Sequence, residues 1–184
     1  IVRLLAYSSI AQAGFMLVPF AAAAVAGADL AEAFSATVIY LVIYAVMNLG
    51  AFAVVIAGAR KTRSGEIRAW SGLAQVDTRL GVLVTVFFFS LAGIPPLAGW
   101  FAKFAMFRSV IIAGGVSTVV LAAIAAVNSV IALYYYARVV KSVWLDDPVG
   151  EFAPEVEAAP AGSLRLALLV ALAITVLIGL FPAI

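Results

Sequence analysis

The sequence predicts an all-α, polytopic transmembrane helix bundle, and three observations predict it. Of the 184 residues, 66% are hydrophobic and 11% charged, with a mean hydropathy of +1.21, where an ordinary soluble domain has roughly 45–50% apolar and about 25% charged residues. The apolar residues gather in charge-poor stretches long enough to cross about 30 Å of hydrocarbon, which takes about 20 helical residues. No strand alternation competes with them, and in lipid only helices or closed barrels satisfy their own backbone. Eleven basic and nine acidic side chains are too few to cover so apolar a globule in water. The whole chain, 1–184, therefore reads as a single membrane domain with five spans, at residues 4–28, 33–59, 80–112, 114–141 and 164–184.

The first span, 4–28, contains no charge and places Ser8 and Gln12 one helical turn apart on a common face. The chain opens IVRLLAYSS, without an initiator Met and without the pattern of a signal peptide, which predicts a fragment that lacks its N-terminal part. The second span, 33–59, carries Thr37, Tyr40, Tyr44 and Asn48 at spacings of three, four and four, again one face. Such a stripe is either interhelical hydrogen-bond glue or one wall of a hydrated path. In the following loop, 60–79, Ile67, Trp70 and Leu73 at helical spacing suggest a short helix lying at the membrane surface, or docked on a partner subunit.

The third span departs from a simple crossing. From Leu80 to Ile112 the apolar run covers 33 residues, about 50 Å of helix, too long for one straight passage. In its middle, near 93–99, lies GIPPLAG. Pro95 and Pro96 remove two backbone donors, and Gly93 and Gly99 permit non-helical angles, so the span is expected to be discontinuous. Lys103 follows about one turn later. A lysine at that depth costs about 2.5–3.5 kcal/mol on insertion scales, and something must offset the cost. One reading is a lysine whose stem reaches the outer interface, as Arg108 does; the other is a buried proton carrier in a break that lines a pathway.

The fourth span, 114–141, sets Ser117, Asn128 and Tyr135 near one face, while Tyr134, Tyr135 and Tyr136 together read as an interfacial aromatic anchor. The loop 142–163 contains DDPVGEFAPEVEAAPAG, five carboxylates and three prolines with little to pack, and reads as a solvated linker. The fifth span, 164–184, ends the chain. Arg3, the 60–79 loop and the 142–163 region with its flanks hold nine of the basic residues, against Arg108 alone on the other face. The positive-inside rule makes the Arg-rich loops cytoplasmic and leaves the C-terminus on the outer side.

There is no Cys and no His, which excludes disulfides, thiolate or imidazole metal sites, iron–sulfur ligation by Cys and His-based acid–base catalysis. The basic residues sit at span edges and do not form a nucleic-acid surface, so no nucleic-acid partner is expected. An Ala-rich, Arg-preferring composition suggests a GC-rich bacterial genome and a bacterial cytoplasmic (inner) membrane.

The segments RLLAYSSIAQAGF (Arg3 to Phe15), NLGAF (Asn48 to Phe52), FFFSLAGIPPLAGWFAKF (Phe87 to Phe104) and NSVIALYYYARVV (Asn128 to Val140) closely resemble the C-terminal part of the subunit N family of bacterial NADH-quinone oxidoreductase, respiratory complex I. The resemblance covers nearly the whole chain and implies the last five helices of a fourteen-helix antiporter-like fold. In that family the lysine after the break takes part in proton transfer, and Lys103 matches it. Sister subunits and multisubunit Na+/H+ antiporters carry His and Lys on the helix equivalent to the second span; here that stretch is YAVMNLGAF, Tyr44 to Phe52, which favours subunit N.

The resemblance thus implies a non-redox, proton-translocating subunit of an H+-translocating NADH:quinone oxidoreductase, working through buried lysines and water. NADH, FMN, iron–sulfur clusters and quinone would be bound by other subunits, with no cofactor in this chain. Its partners would be the other membrane-arm subunits of a hetero-oligomer, with lipids, protons and water. Thr37, Tyr40, Tyr44, Asn48, Ser117, Asn128 and Tyr135 are the relay candidates around Lys103. The alternatives are a subunit of a multisubunit Na+/H+ antiporter and a structural membrane subunit without its own proton channel.

Overall fold

A computed structural model describes residues 1–27, 29–149, 152–153 and 162–181. Helix α1, Val2–Ala26, runs through Pro19 and stops at Gly27, whose left-handed backbone (φ 66°) lets its N–H reach back to the Ala23 carbonyl. Helix α2, Leu30–Thr62, begins where the Asp29 carboxylate accepts from the Ala31 N–H at 2.8 Å. It ends with Arg60 and Lys61 in its last turn, where cations complement the helix dipole. A 3₁₀ turn, Ile67–Trp70, and the single-turn α3, Leu73–Val76, lead to α4, Thr78–Ala92, capped by Asp77 through the Leu80 N–H at 3.0 Å. Then come α5, Ala98–Ala113, α6, Val116–Leu145, and α7, Gly162–Leu180.

Helix α2 is the hub, in contact with α1, α4, α5 and α7, while α6 packs on α1, α4 and α5. The core between them holds Tyr40, Met47, Phe87, Phe88, Leu91, Met106 and Tyr136, all fully buried. The two central helices come close because Gly50 of α2 leaves room for the Phe87 ring of α4, which a Cβ there would strike. On α6 the buried positions Thr118, Ala125, Ala132 and Val139 recur every seven residues, a narrow seam that widens toward the helix's C-terminal end, where Tyr136, Val140 and Val143 are buried as well. Its outer face shows Val119, Ile124, Val127 and Ile131, the kind of surface that lipid or a neighbouring subunit accepts and water does not.

Among the described residues, α1, α2, α6 and α7 are long and apolar enough to cross a membrane. Helices α4 and α5 have 15 and 16 residues, about 22 and 24 Å, and neither crosses 30 Å alone. One end of the bundle gathers the α1/α2 and α5/α6 connections, tied by Arg108 Nη1 to Glu32 Oε1 at 2.5 Å. The other end gathers the basic loop and the end of α6, where the Gly72 N–H donates to the Ser142 carbonyl at 3.0 Å.

Three expectations change here. The Ile67–Trp70–Leu73 segment does not turn its apolar side to a membrane surface: Trp70 and Leu73 have no exposed surface, because the Trp70 ring fills the space over Gly58 of α2 and its Nε1 donates to the Ser64 carbonyl at 3.0 Å. Tyr134 faces outward, but Tyr136 does not act as an interfacial anchor; two residues on, about 200° around the helix, it is buried in the core. The acidic loop also returns to the bundle, with the Ala153 N–H bonded to the Lys61 carbonyl at 2.8 Å and Ala153 buried. Residues 150, 151 and 154–161 of that expected linker, with Ala28 and 182–184 of the expected spans, lie outside the described residues.

Candidate functional site at the helix break

A helix that stops inside a bundle leaves its last carbonyls without intrahelical donors, and the end of α4 shows where each one goes. The Phe89 carbonyl accepts from the N–H groups of Gly93 and Ile94, both at 3.0 Å, and Ser90's accepts from Gly93 at 2.9 Å. Gly93 can make this turn because its φ of 90° costs it nothing. The next two carbonyls are met from elsewhere. Leu91's takes the Gln12 amide Nε2 of α1 at 3.1 Å, and Ala92's takes the Lys103 ammonium Nζ of α5 at 2.7 Å.

Lys103 is 7% exposed, and its stem lies over Gly93, whose missing side chain makes the space: Lys103 Cδ is 2.7 Å from where a Cβ would sit. The Nζ stands 5.1 Å from the centroid of the Phe15 ring, so the cation meets a carbonyl, a helix C-terminus and a π face. Among the described residues it has no carboxylate partner; the ion pairs given by the structure there are Arg108–Glu32 and Lys141–Asp146. The lysine therefore does not snorkel to the interface. Its cost of burial is offset by these dipolar contacts.

The start of α5 is fixed against the same break. The Gly99 N–H donates to the Ser90 hydroxyl at 3.2 Å, and a Cβ on Gly99 would fall on the Ser90 carbonyl. Pro95 and Pro96 are exposed, joined by a cis bond. Helix α7 closes over the far side: Gly179 packs on Pro96 and Leu97, and Trp100 Nε1 donates to the Gly179 carbonyl at 3.2 Å.

The expected relay residues divide into two groups. Tyr40 is buried and donates to Gln12 Oε1 at 2.5 Å; Tyr44 donates to the Ser9 hydroxyl at 2.8 Å; Thr37 donates to the Met16 carbonyl at 2.9 Å. This stripe of α2, with Asn48 half-buried on the same helix, joins α1 beside Lys103. The α6 positions do not join it. Ser117 and Asn128 are exposed, Asn128 bonding back to its own helix at the Ile124 carbonyl, 2.8 Å away, and Tyr135 is half-buried beside Tyr136 with ring centroids 4.6 Å apart. What α6 brings to the interior is Tyr136, hydrogen-bonded to Ser8 of α1 and set edge-on to Phe88.

Gln12, Phe15 and Tyr136 were not among the expected site residues. The Ser8 and Gln12 spacing was a signal for the first; Phe15 and Tyr136 gave none, because one more aromatic in an apolar helix carries no mark of what it faces. A cavity of about 1080 Å³ lies elsewhere, at the basic end, lined by Arg3, Arg68, Arg138, Lys141, Glu66 and Asp146, and does not reach Lys103. No cluster of three or more metal-ligating side chains occurs among the described residues.

Comparison with known proteins places the chain in a family. Residues 1–132 match the family model described as NADH:quinone oxidoreductase/Mrp antiporter, TM. NADH-quinone oxidoreductase subunit N 1 of Rhizobium meliloti is 43% identical over 168 residues, 89% of this chain and 32% of that protein. Subunit N of Desulfitobacterium hafniense is 39% identical over 190 residues, 98% of this chain and 37% of that protein. A chain of respiratory complex I from Thermus thermophilus, solved with bound aureothin, superimposes with a TM-score of 0.73 at 29% identity, over 99% of this chain and 38% of that one. The chain spans about a third of the length of these relatives. With four bilayer-length helices among its described residues and a match to the family model over most of its length, the chain is an integral membrane protein that belongs to the transmembrane family of NADH:quinone oxidoreductase and Mrp antiporter subunits.

Proposed function

We propose that this chain is the C-terminal portion of a proton-translocating membrane-arm subunit of NADH-quinone oxidoreductase, in which Lys103 loads and releases a proton as NADH oxidation by quinone drives the complex. The observation that carries the reading is a buried lysine directly behind a helix break, without a carboxylate partner among the described residues, held by the Ala92 carbonyl next to the Leu91 carbonyl that the Gln12–Tyr40 pair of two other helices holds. A permanently ion-paired lysine is held in one charge state, whereas one held by a carbonyl and a ring can lose its proton without stranding an opposite charge.

In this reading α4, the break at 93–97 and α5 form one discontinuous span, the third of five, and the Arg-rich loops 60–79 and 142–163 face the bacterial cytoplasm with the C-terminus outside. Tyr40, Tyr44 and Thr37, with Asn48, are relay candidates on the α2 side. Ser117, Asn128 and Tyr135 serve only if a neighbouring subunit or water covers the outer face of α6. NADH, FMN, iron–sulfur clusters and quinone are bound by other subunits of the hetero-oligomer; a chain without Cys or His supplies no thiolate or imidazole for such centres. Helix α2 lacks His and Lys from Tyr44 to Phe52, which disfavours an Na+/H+ antiporter subunit.

The test compares proton pumping and NADH oxidation in membranes carrying Lys103→Ala, with assembly verified on a native gel. Loss of both activities in an assembled complex supports the proposal. Normal values for both would reduce Lys103 to the cap of α4, and the chain to a structural subunit.

A further inference from the structure

The contacts around Lys103 form a closed circuit through four helices. Lys103 Nζ donates to the Ala92 carbonyl at 2.7 Å; the adjacent Leu91 carbonyl takes Gln12 Nε2 at 3.1 Å; Gln12 Oε1 takes the Tyr40 hydroxyl at 2.5 Å. The Tyr40 ring stacks on Phe15 with centroids 6.4 Å apart and planes 24° from parallel, and the Lys103 Nζ stands 5.1 Å from the centroid of the same Phe15 ring. Gln12 and Phe15 are three residues apart on α1, so one helical face supplies both the amide that holds α4's end and the ring that meets the cation.

We propose that Gln12 and Phe15 of α1 are positioning residues for the Lys103 proton site: Gln12 fixes the broken end of α4 so that the Ala92 carbonyl aims at the ammonium, and the Phe15 face favours the charged form of Lys103. The two act through different physics. Gln12 is 1% exposed and has both ends of its amide in use, a donor on Leu91 and an acceptor toward Tyr40, so its removal frees a buried carbonyl and a buried hydroxyl together. Phe15 is 4% exposed and makes no hydrogen bond, so its electrostatic contribution comes from the ring quadrupole, which attracts an ammonium and is indifferent to the neutral amine. The titratable groups nearest the circuit among the described residues are Tyr40 and Tyr44 of α2 and Tyr136 of α6, and the described ion pairs lie at the bundle ends.

This inference rests on the proton-carrier reading of Lys103, and the experiment separates the two. In the full complex in native membranes, with assembly checked on a native gel, the pH profile of NADH-driven proton pumping is compared for Phe15→Leu, Phe15→Tyr, Gln12→Met and Lys103→Ala. Phe15→Leu is expected to displace the profile by about 0.5–1 pH unit, the equivalent of a cation–π contact, while Phe15→Tyr restores it. Gln12→Met, of similar length without donor or acceptor, is expected to lower pumping several-fold in the assembled complex. Phe15→Met replaces Phe15→Leu if the latter does not assemble. Profiles for the aliphatic Phe15 variants that superimpose on the parent's, while Lys103→Ala abolishes pumping, overturn the role of Phe15 alone; parent-level pumping in Gln12→Met overturns that of Gln12. Parent-level pumping in Lys103→Ala overturns the reading beneath both.

Discussion

Lys103 and Ala92 lie eleven residues apart in sequence, on opposite sides of a helix break, and are joined by a 2.7 Å hydrogen bond from ammonium to carbonyl. The same contact that lets a charge sit among apolar helices also closes the backbone of α4. A cation at a helix C-terminus meets the negative end of the dipole and one of the orphan carbonyls at once. The fold and the proposed chemistry thus share a single bond, and the predictions below separate them.

Lys103→Gln keeps a donor pointed toward the Ala92 carbonyl, one bond shorter than the lysine, and removes the titratable amine. The variant complex is expected to assemble and to resist heating like the parent while failing to pump. Lys103→Met leaves the carbonyl without a donor and is expected to lose about 1–3 kcal/mol of stability. Thermal inactivation followed on native gels, beside pumping assays, distinguishes the two variants; equal heat resistance in both would show that the bond holds nothing together.

Gly99→Ala places a methyl group on the Ser90 carbonyl, backbone against backbone, where neither side can rotate away. A loss of about 1–3 kcal/mol or more is expected, visible as reduced complex in the membrane. Gly14→Ala on α1 meets nothing within 4 Å and is the matched control, neutral or slightly stabilising.

Trp70→Ala empties a fully buried site between the basic loop and α2. A cost of about 3–5 kcal/mol is expected for an aromatic truncated in a core. Because the loop holds Arg63 and Arg68, the loosened segment should be cut by trypsin at least several-fold faster than in the parent, and unchanged cleavage would mean that Trp70 does not hold the loop down.

Glu32→Gln breaks the Arg108 pair at the opposite end. Its side chains are 35% and 56% exposed, so the expected change in stability is under about 1 kcal/mol and shrinks further with added salt. Heating curves at low and high ionic strength that overlie the parent's are the expected result.

The break was legible in the sequence because proline and glycine act on their own backbone, and Gly93 and Pro95–Pro96 needed no partner to end a helix. The α2 stripe was legible because Thr37, Tyr40 and Tyr44 share a face whatever they touch, and the structure sets all three against α1 or its side chains. The partners were not legible. Lys103's acceptor is a main-chain atom of another helix, which no residue type announces, and Phe15 looks like any other apolar residue until the ammonium is placed beside it. On α6 the spacing of Ser117, Asn128 and Tyr135 sets them near one face, but spacing does not say which face turns inward, and the one that does holds Thr118, Ala125, Ala132 and Val139. The Trp70 segment misled for the opposite reason: an amphipathic turn looks the same whether a membrane or the chain's own helices take its apolar side.

The two carbonyls that Gln12 and Lys103 hold belong to the main chain of Leu91 and Ala92, and this sets an asymmetry on drift over evolutionary time. A backbone acceptor survives any replacement of its own side chain that still fits, so positions 91 and 92 are held to apolar side chains of the right size but to no particular one. The donors have no such freedom, since only the side chains at 12 and 103 can reach across. Substitution in a lineage should therefore run freely among apolar residues on the accepting side and stall on the donating side, without the paired exchanges that reveal contacts between two side chains.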